Sequence, residues 1–580
     1  MLMADVLAAV GVLFHAAVAA PVNPVERENA LAGTSTWAES GAPPSEVEAY
    51  TSETDVLPGQ TVHFHVSTRE RYRILVYRLG WYGGAGGRLI ACVPADCASD
   101  ELGTAYAVPT TEAATSRLVA GWPVTDSVQI PSDAVSGYYL ARVVMTAGPW
   151  HGRAGAVPFV VRPPASERSA VLVQVPVNTW EAYNAWGGHS LYDFNSVNHQ
   201  RANRVSFDRP YGQGAQGPLE EEIQLVHFLE REHVDVSYQT DLDTDLVPSS
   251  LLSHRLVTVA GHDEYWTKEI RDAFDKARDL GTNLAFMSSN IGYWQVRYEN
   301  GGRTIVGYKD ANADPVTDPA LKTIQFRQVG RPECELEGVM FFFLRSLRET
   351  PIDYPVTSAA LDDPWFARTG FRPGDRVAGV VNDEWDALPA TPEPGCTKPG
   401  LTVLFHYDGA ADRNQNADAV RYTARSGARV FSAGAQRFSW GLDNWGTKRY
   451  GGGPVPTDPR LQQFARNMLD DLTRPAPPRA YDIRVLRNRV RLRFVKGIDP
   501  RIERTDVFRQ EDNRLVLVAH SKNGYCTDRP KPDGRFVRYL AENVDEWGVS
   551  KPLTVLLQLR RGSRARGRDQ LARIASVRPA

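Results

Sequence analysis

At 580 residues the chain is too long for one hydrophobic core, so three or four domains of about 100–200 residues are expected. Its 42% hydrophobic, 23% charged and 10% aromatic content is that of an ordinary globular protein. A formal charge of −3 supplies no basic field, which excludes nucleic acid as an expected partner.

In chain order, Met1 to Ala20 is an apolar run, and Ala17-Val18-Ala19 has the small-x-small form of a secretory cleavage site. Residues 1–19 are therefore read as a signal peptide and the protein as exported, although the leading segment carries Asp5 and no Lys or Arg. No later stretch reaches the roughly 18–20 apolar residues that span a bilayer, so no transmembrane segment is expected. Residues 24–165 show short alternating runs, such as Thr61–Val66 and Tyr72–Tyr77, broken by turn clusters, and predict an N-terminal β-sandwich. Gly80 to Gly87 opens no helix and reads as a hairpin loop rather than a phosphate cradle. Cys92 and Cys97 flank a turn-like segment that could close a small disulfide loop, and Cys334 and Cys396 could pair across the middle domain, which leaves Cys526 odd. The alternative is five unpaired thiols.

After Arg162-Pro163-Pro164 the period changes. Residues 166–474 give strands at 169–177, 234–238, 255–260, 283–287, 401–406 and 428–432, with helices at 219–232 and 268–280, so an α/β domain with a doubly wound parallel sheet is expected. Residues 479–557 read as a small accessory sandwich, and Tyr539 to Ser550 resembles the penultimate strand and turn of fibronectin type III modules. The basic tail, 558–580, is expected to be disordered.

Ligands of open α/β sheets bind beyond the carboxyl ends of the strands. Three polar clusters fall there: Pro176 to Asn184, Gly261-His262-Asp263-Glu264-Tyr265-Trp266, and Ser288-Ser289-Asn290. Each has a plain reading, since Tyr183 can simply pack at an aromatic edge, Glu264 can face a helix N-terminus and Asn290 can cap a turn. Their coincidence on three strand ends favours a site. The motifs His-Glu-x-x-His, Gly-x-Ser-x-Gly, the Walker lysine loop and Cys-x-x-Cys are absent, and no cysteine sits on an elbow beside a His. An oxygen-rich set remains, suited to a hard Lewis acid or to proton transfer.

Asn178-Thr179-Trp180-x-x-Tyr183-Asn184, Gly261 to Trp266, Asn290-x-x-Tyr293-Trp294, Val377 to Asp386 and Val430 to Gly434, in this order, resemble the large (beta) subunit of N,N-dimethylformamidase and its exported relatives, over about Asn23 to Leu472. The resemblance implies a core similar to class I glutamine amidotransferase domains but without their cysteine nucleophile. It also implies hydrolysis of non-peptide carbon–nitrogen amide bonds with a ferric ion, Fe(III), held by two tyrosinates and one glutamate. By motif position Tyr183 and Glu264 are two of these ligands. The second tyrosine belongs to a Ser-Gly-x-Tyr strand, here Ser136-Gly137-Tyr138-Tyr139, which points to Tyr139 with Tyr138 close behind. His262, Asn290 and Glu384 would line the pocket, Glu384 as general base and His262 or Asn290 stabilising the oxyanion. The family's soluble enzyme works with a small partner subunit, and no fused equivalent is present here. A homo-oligomer is compatible with the sequence. A second reading is a non-catalytic exported protein that binds a glycan or surface polymer through its sandwiches and exposed aromatics such as Trp81 and Tyr82.

Overall fold

The computed structural model describes all residues except 1–22, 39–40, 44, 213–218, 345–350, 392, 412–414, 448–454, 487–488, 496, 512–513, 531–535, 559–572 and 580. The predicted signal peptide lies outside the described residues.

The N-terminal strands form a three-stranded and a five-stranded sheet. Alternate residues of each strand, among them Val62, Phe64, Val66, Ile74, Val76, Ala141, Val143 and Phe159, meet in one apolar core between them. Tyr72–Leu79 and Gly87–Val93 pair antiparallel across the glycine-rich loop, which carries a single short 3₁₀ turn. The cysteine pairs Cys92–Cys97 and Cys334–Cys396 are disulfides, and Cys526 is buried and unpaired.

The middle of the chain builds a seven-stranded sheet from β1 (Val171–Val175), β2 (Val236–Thr240), β3 (Leu256–Val259), β4 (Asn283–Phe286), β5 (Thr402–Tyr407), β6 (Ala417–Thr423) and β7 (Arg429–Ser432), in the order β2-β1-β3-β4-β7-β6-β5. The first five strands of that order run parallel, and β6 and β5 are antiparallel additions at one edge. Every residue of β1, β2, β3, β4 and β7 is buried, as expected for strands covered on both faces. Pleating divides them: Val171, Val173 and Val175 meet Ile223 and Val226 of α2 (Ile223–Arg231) and Phe464 and Met468 of α4 (Pro459–Leu472), with α1 (Val177–Tyr183) following β1 on the same side. Leu172, Val257, Leu284 and Phe286 instead meet Ile270, Phe274 and Ala277 of α3 (Lys268–Asp279). Helix α3 starts where its pattern requires, with Thr267 accepting from the Ile270 N–H at 3.1 Å.

The expected elements appear with ends moved by a few residues. Helix 219–232 is Ile223–Arg231, and strand 169–177 ends at Val175 because Val177 opens α1. Between β4 and β5 the chain also forms two antiparallel strand pairs, Met340–Leu344 with Glu384–Ala387 and Ile352–Pro355 with Arg376–Val381. The whole is a mixed α/β, multidomain protein. Its C-terminal part holds a three-stranded and a six-stranded sheet around Leu492, Phe494, Val507, Tyr539, Val555 and Leu557. Of the tail expected to be disordered, 559–572 lies outside the described residues, and Arg573–Pro579 is a strand paired antiparallel with Leu553–Gln558. The open hydrogen-bonding edge of that strand recruits it, and the arginine-rich run 560–566 hid the short Ile574-Ala575-Ser576-Val577 segment. Among the described residues no helix is long and apolar enough to cross a membrane.

Candidate active site

Strands β1 and β3 are neighbours whose connections leave in opposite directions, which opens a crevice at their carboxyl ends. Gly261, at φ +66, turns the chain just after β3, and a Cβ there would lie 2.9 Å from Cγ of Glu222. The turn brings His262 and Glu264 inward to 2% and 3% exposure. Asn290, at φ +53, follows β4, and Asp383, at φ +67, sets the direction of Glu384. Left-handed backbone at non-glycine residues costs energy and is held here by the surrounding bonds.

Glu384 is the centre of this arrangement. His262 Nε2 lies 3.0 Å from its Oε2, and Asn290 Nδ2 donates to the same oxygen at 2.7 Å. Its backbone is held as well: Ser289 Oγ donates to the Glu384 carbonyl at 2.7 Å, and the Glu384 N–H donates to Gln436 Oε1 at 3.1 Å. Asn290 is fixed in turn by its N–H, which donates to Asp386 Oδ1 at 2.9 Å. Burial by itself would lower the His262 pKa, but the adjacent Glu384 carboxylate, with Glu264 behind it, raises it to about 9. His262 is thus held as an imidazolium at neutral pH.

Glu264 forms a second centre. Tyr183 Oη donates to its Oε2 at 2.9 Å, Tyr192 Oη lies 2.8 Å from both of its oxygens, and the two rings stand 4.4 Å apart. The Thr179 hydroxyl accepts the Glu264 N–H at 2.9 Å. Burial raises the Glu264 carboxyl, and His262, 3.8 Å away, opposes that rise. Burial and the Glu264 charge hold the Tyr183 hydroxyl well above its ordinary range. Lys309 closes this side, with Nζ donating to Tyr265 Oη at 2.6 Å and standing 3.3 Å from the centre of the Tyr192 ring.

Five of the six residues singled out from sequence, His262, Glu264, Asn290, Glu384 and Tyr183, are therefore brought together. Tyr139 is not. Adjacent strand residues face opposite ways, so Tyr139 points into the core between the N-terminal sheets, where its hydroxyl donates to the Val135 carbonyl at 2.9 Å. Tyr138 faces the middle domain and packs on Trp180 and Tyr238 at 6.3 and 5.5 Å. The tyrosine that does reach Glu264 is Tyr192, missed because its loop has no strand-end periodicity; its only signal is a second tyrosine shortly after Tyr183. Lys309 was missed for the same reason, and Gln436, four residues past the end of β7, because the motif there ends at Gly434. Tyr82, expected as an exposed aromatic, is buried, with its hydroxyl donating to Glu28 at 2.7 Å, and Trp81 lies under the Arg231 guanidinium at 5.4 Å.

Among the described residues no group of three or more His, Cys, Asp and Glu side chains is arranged to hold a metal ion. The set Tyr183, Tyr192 and Glu264 differs in kind: one carboxylate with two phenols, each phenol oxygen within 2.9 Å of that carboxylate, all hard oxygen donors.

A family model described as "N,N-dimethylformamidase beta subunit-like, C-terminal" matches residues 73–451, the greater part of the chain. Comparison with curated proteins gives no match. Among solved structures, the twitchin kinase region from C. elegans is 22% identical over 15% of this chain and 17% of its own, with a TM-score of 0.14. A structure titled FN3tt is 15% identical over 15% of this chain and 90% of its own, with a TM-score of 0.13. A chitinase from Bacillus thuringiensis is 10% identical over 55% of this chain and 61% of its own, with a TM-score of 0.14. Likenesses of this size carry no argument about fold or function.

Proposed function

Because the chain belongs to the N,N-dimethylformamidase beta subunit-like family, we propose that it hydrolyses non-peptide carbon–nitrogen amide bonds, with Glu384 as general base. One observation carries the reading: a buried carboxylate, Glu384, is held at a single oxygen by His262 at 3.0 Å and Asn290 at 2.7 Å. Glu384 takes the proton of the attacking water. The His262 imidazolium faces the charge that develops on the former carbonyl oxygen and then delivers a proton to the departing nitrogen. Asn290 keeps Glu384 in the rotamer that points at the water, and burial keeps bulk water from competing.

We extend the reading to a ferric ion held by Tyr183, Tyr192 and Glu264, with Tyr192 in the role first expected of Tyr139. Support comes from the donor set, since two phenols directed at one buried carboxylate suit a cation acidic enough to displace phenolic protons. Bound there, Fe(III) would supply Lewis-acid polarisation of the amide carbonyl. The reading also takes the two-faced parallel sheet as a class I glutamine amidotransferase-like core and the C-terminal sheets as a fibronectin III-like module. The protein is taken as exported, on the apolar run Met1 to Ala20 and the two disulfides.

Two experiments test this. Protein purified from iron-supplemented medium should show a broad visible tyrosinate-to-iron band that is lost in Tyr183→Phe and in Tyr192→Phe; a colourless, iron-free protein removes the metal. An amide panel should show turnover that Glu384→Gln abolishes, and unchanged turnover in that variant removes Glu384 from the mechanism.

A further inference from the structure

The overall charge of −3 hides a division along the chain. Residues 1–478 carry 42 Lys and Arg against 57 Asp and Glu, a net −15, whereas residues 479–580 carry 24 against 12, a net +12. Such an asymmetry directs one part of a molecule toward an anionic partner. The fold gathers part of the basic charge on one surface. Strands Arg479–Leu486, Arg489–Val495 and Tyr525–Asp528 form the three-stranded C-terminal sheet. Its central strand alternates strictly: Val490, Leu492 and Phe494 enter the core, while Arg489, Arg491 and Arg493 stand outside in a row, about 7 Å apart. Register places Arg484 directly opposite Arg491 on one side, and Thr527 and Tyr525 opposite Arg491 and Arg493 on the other. Arg489, Thr527 and Arg529 then border a cleft of about 420 Å³ whose further wall is Val516-Leu517-Val518.

Like charges directly opposite one another destabilise a sheet face, so this arrangement calls for an outside counter-charge. Arg484 is offset by Asp482 at 2.8 Å, but Arg489, Arg491 and Arg529 form no ion pair with a described residue. The Arg509 guanidinium in the cleft is by contrast already neutralised by Asp528 and Glu511. We propose that this sheet face docks an acidic polysaccharide, whose uronate carboxylates meet the arginine row and whose sugar rings lie on Tyr525. An arginine fork takes a carboxylate through two parallel N–H bonds, and a straight row of forks suits a polymer with one charge per repeat. Tyr525, 39% exposed and 5.6 Å from the Arg491 guanidinium carbon, supplies an apolar ring face among the charges. Single-stranded nucleic acid is held on several aromatic platforms in succession, and a surface lying in a membrane presents a broad apolar face. Among its described residues this face has one exposed ring, Tyr525, and one exposed aliphatic, Val495 at its margin. The proposal goes beyond the hydrolase reading and does not depend on it.

Biolayer interferometry of the full-length chain on immobilised polygalacturonate, with neutral dextran as control, tests the proposal. Polygalacturonate should bind and dextran should not. Raising NaCl from about 50 to about 200 mM should weaken that binding by about tenfold or more, because each arginine contact releases counterions. Replacing the row together, Arg489→Gln with Arg491→Gln and Arg493→Gln, should weaken it by about tenfold or more, with the melting temperature unchanged or raised as the repulsion is relieved. Tyr525→Ala should weaken it by about threefold and leave the salt dependence as it was. Equal binding to dextran, no binding to polygalacturonate, or binding indifferent to salt or to the triple variant overturns the proposal. A loss in the triple variant accompanied by a fall in melting temperature assigns the row to structure and overturns it too. So does tighter binding to single-stranded DNA of equal charge, which would make the partner a nucleic acid, or to phosphatidylglycerol vesicles, which would make it a membrane. The ranking of these four ligands by the wild-type chain decides the matter even if a variant fails to fold.

Discussion

Glu384 receives a hydrogen bond on its carboxylate from Asn290, another on its carbonyl from Ser289, and gives its own N–H to Gln436, so its position is fixed independently of any ligand. Replacing it by Gln keeps the size and removes the base, and kcat for a hydrolysed amide should fall by about 100-fold or more with an unchanged circular dichroism spectrum. A second residue-scale prediction concerns His254, at the opposite end of the sheet. Its Nδ1 is 2.9 Å from the Ser169 carbonyl and 3.2 Å from the Ser169 hydroxyl, and burial lowers its pKa from 6.5 to about 4. A histidine depressed in the folded state contributes stability that is whole above its unfolded pKa and is lost as pH falls from 6.5 through about 4. Urea unfolding at pH 7 and pH 4 should show His254→Gln losing less stability on acidification than the wild type, by on the order of 3 kcal/mol. Equal losses would show that His254 does not govern the acid side.

At the scale of elements, the site exists because four parallel strands, β1, β3, β4 and β7, end side by side and each is followed by a sharp departure of the chain. After β7 that departure is Gly434, at φ +59, where a Cβ would lie 2.1 Å from the Asp418 carbonyl oxygen. Backbone cannot yield as a side-chain tip can, so Gly434→Ala should destabilise the protein by about 3 kcal/mol or more and displace Gln436, two residues on. Thermal unfolding checks the first effect, and kcat for a hydrolysed amide, which falls if the Gln436 bond to the Glu384 N–H is lost, checks the second. Helix α3 offers a milder control: Thr267→Ala removes its cap and should cost about 1 kcal/mol without touching the site.

For the whole molecule, the N-terminal sheets are joined to the middle domain by an ion pair with no exposure on either side. Arg78 Nη2 and Nη1 meet Glu230 Oε1 and Oε2 at 2.8 and 3.0 Å, and Tyr238 Oη adds a bond to Glu230 at 3.0 Å. Removing one partner strands the other charge in a dry interface. Arg78→Met should therefore cost about 3–5 kcal/mol, whereas Arg78→Met with Glu230→Met should recover much of that loss. A double-mutant cycle by chemical denaturation measures both, and a double variant as unstable as the worse single one would refute the account. A buried Arg255, paired with Asp499 and Asp545, joins the C-terminal sheets to the same domain.

The sequence by itself determined what depends on short-range chemistry. Continuous apolar runs identified β1, β3, β4 and β7; the change from period two to 3.6 separated the sandwich from the α/β domain; and five ordered motifs carried the family. Strand-end logic was enough for His262, Glu264 and Asn290, because their positions follow directly from the strands that precede them. Only the tertiary structure decided which tyrosines meet Glu264. Tyr139 and Tyr138 are neighbours on one strand, and which face turns toward the middle domain is set by how the sheets pack, a relation between segments that local pattern does not contain. Tyr192, Lys309 and Gln436 reach the site from loops whose path is fixed by distant partners, and the Asn290 and Gln436 amides are oriented on Glu384 by hydrogen bonds between residues 94 and 52 positions apart.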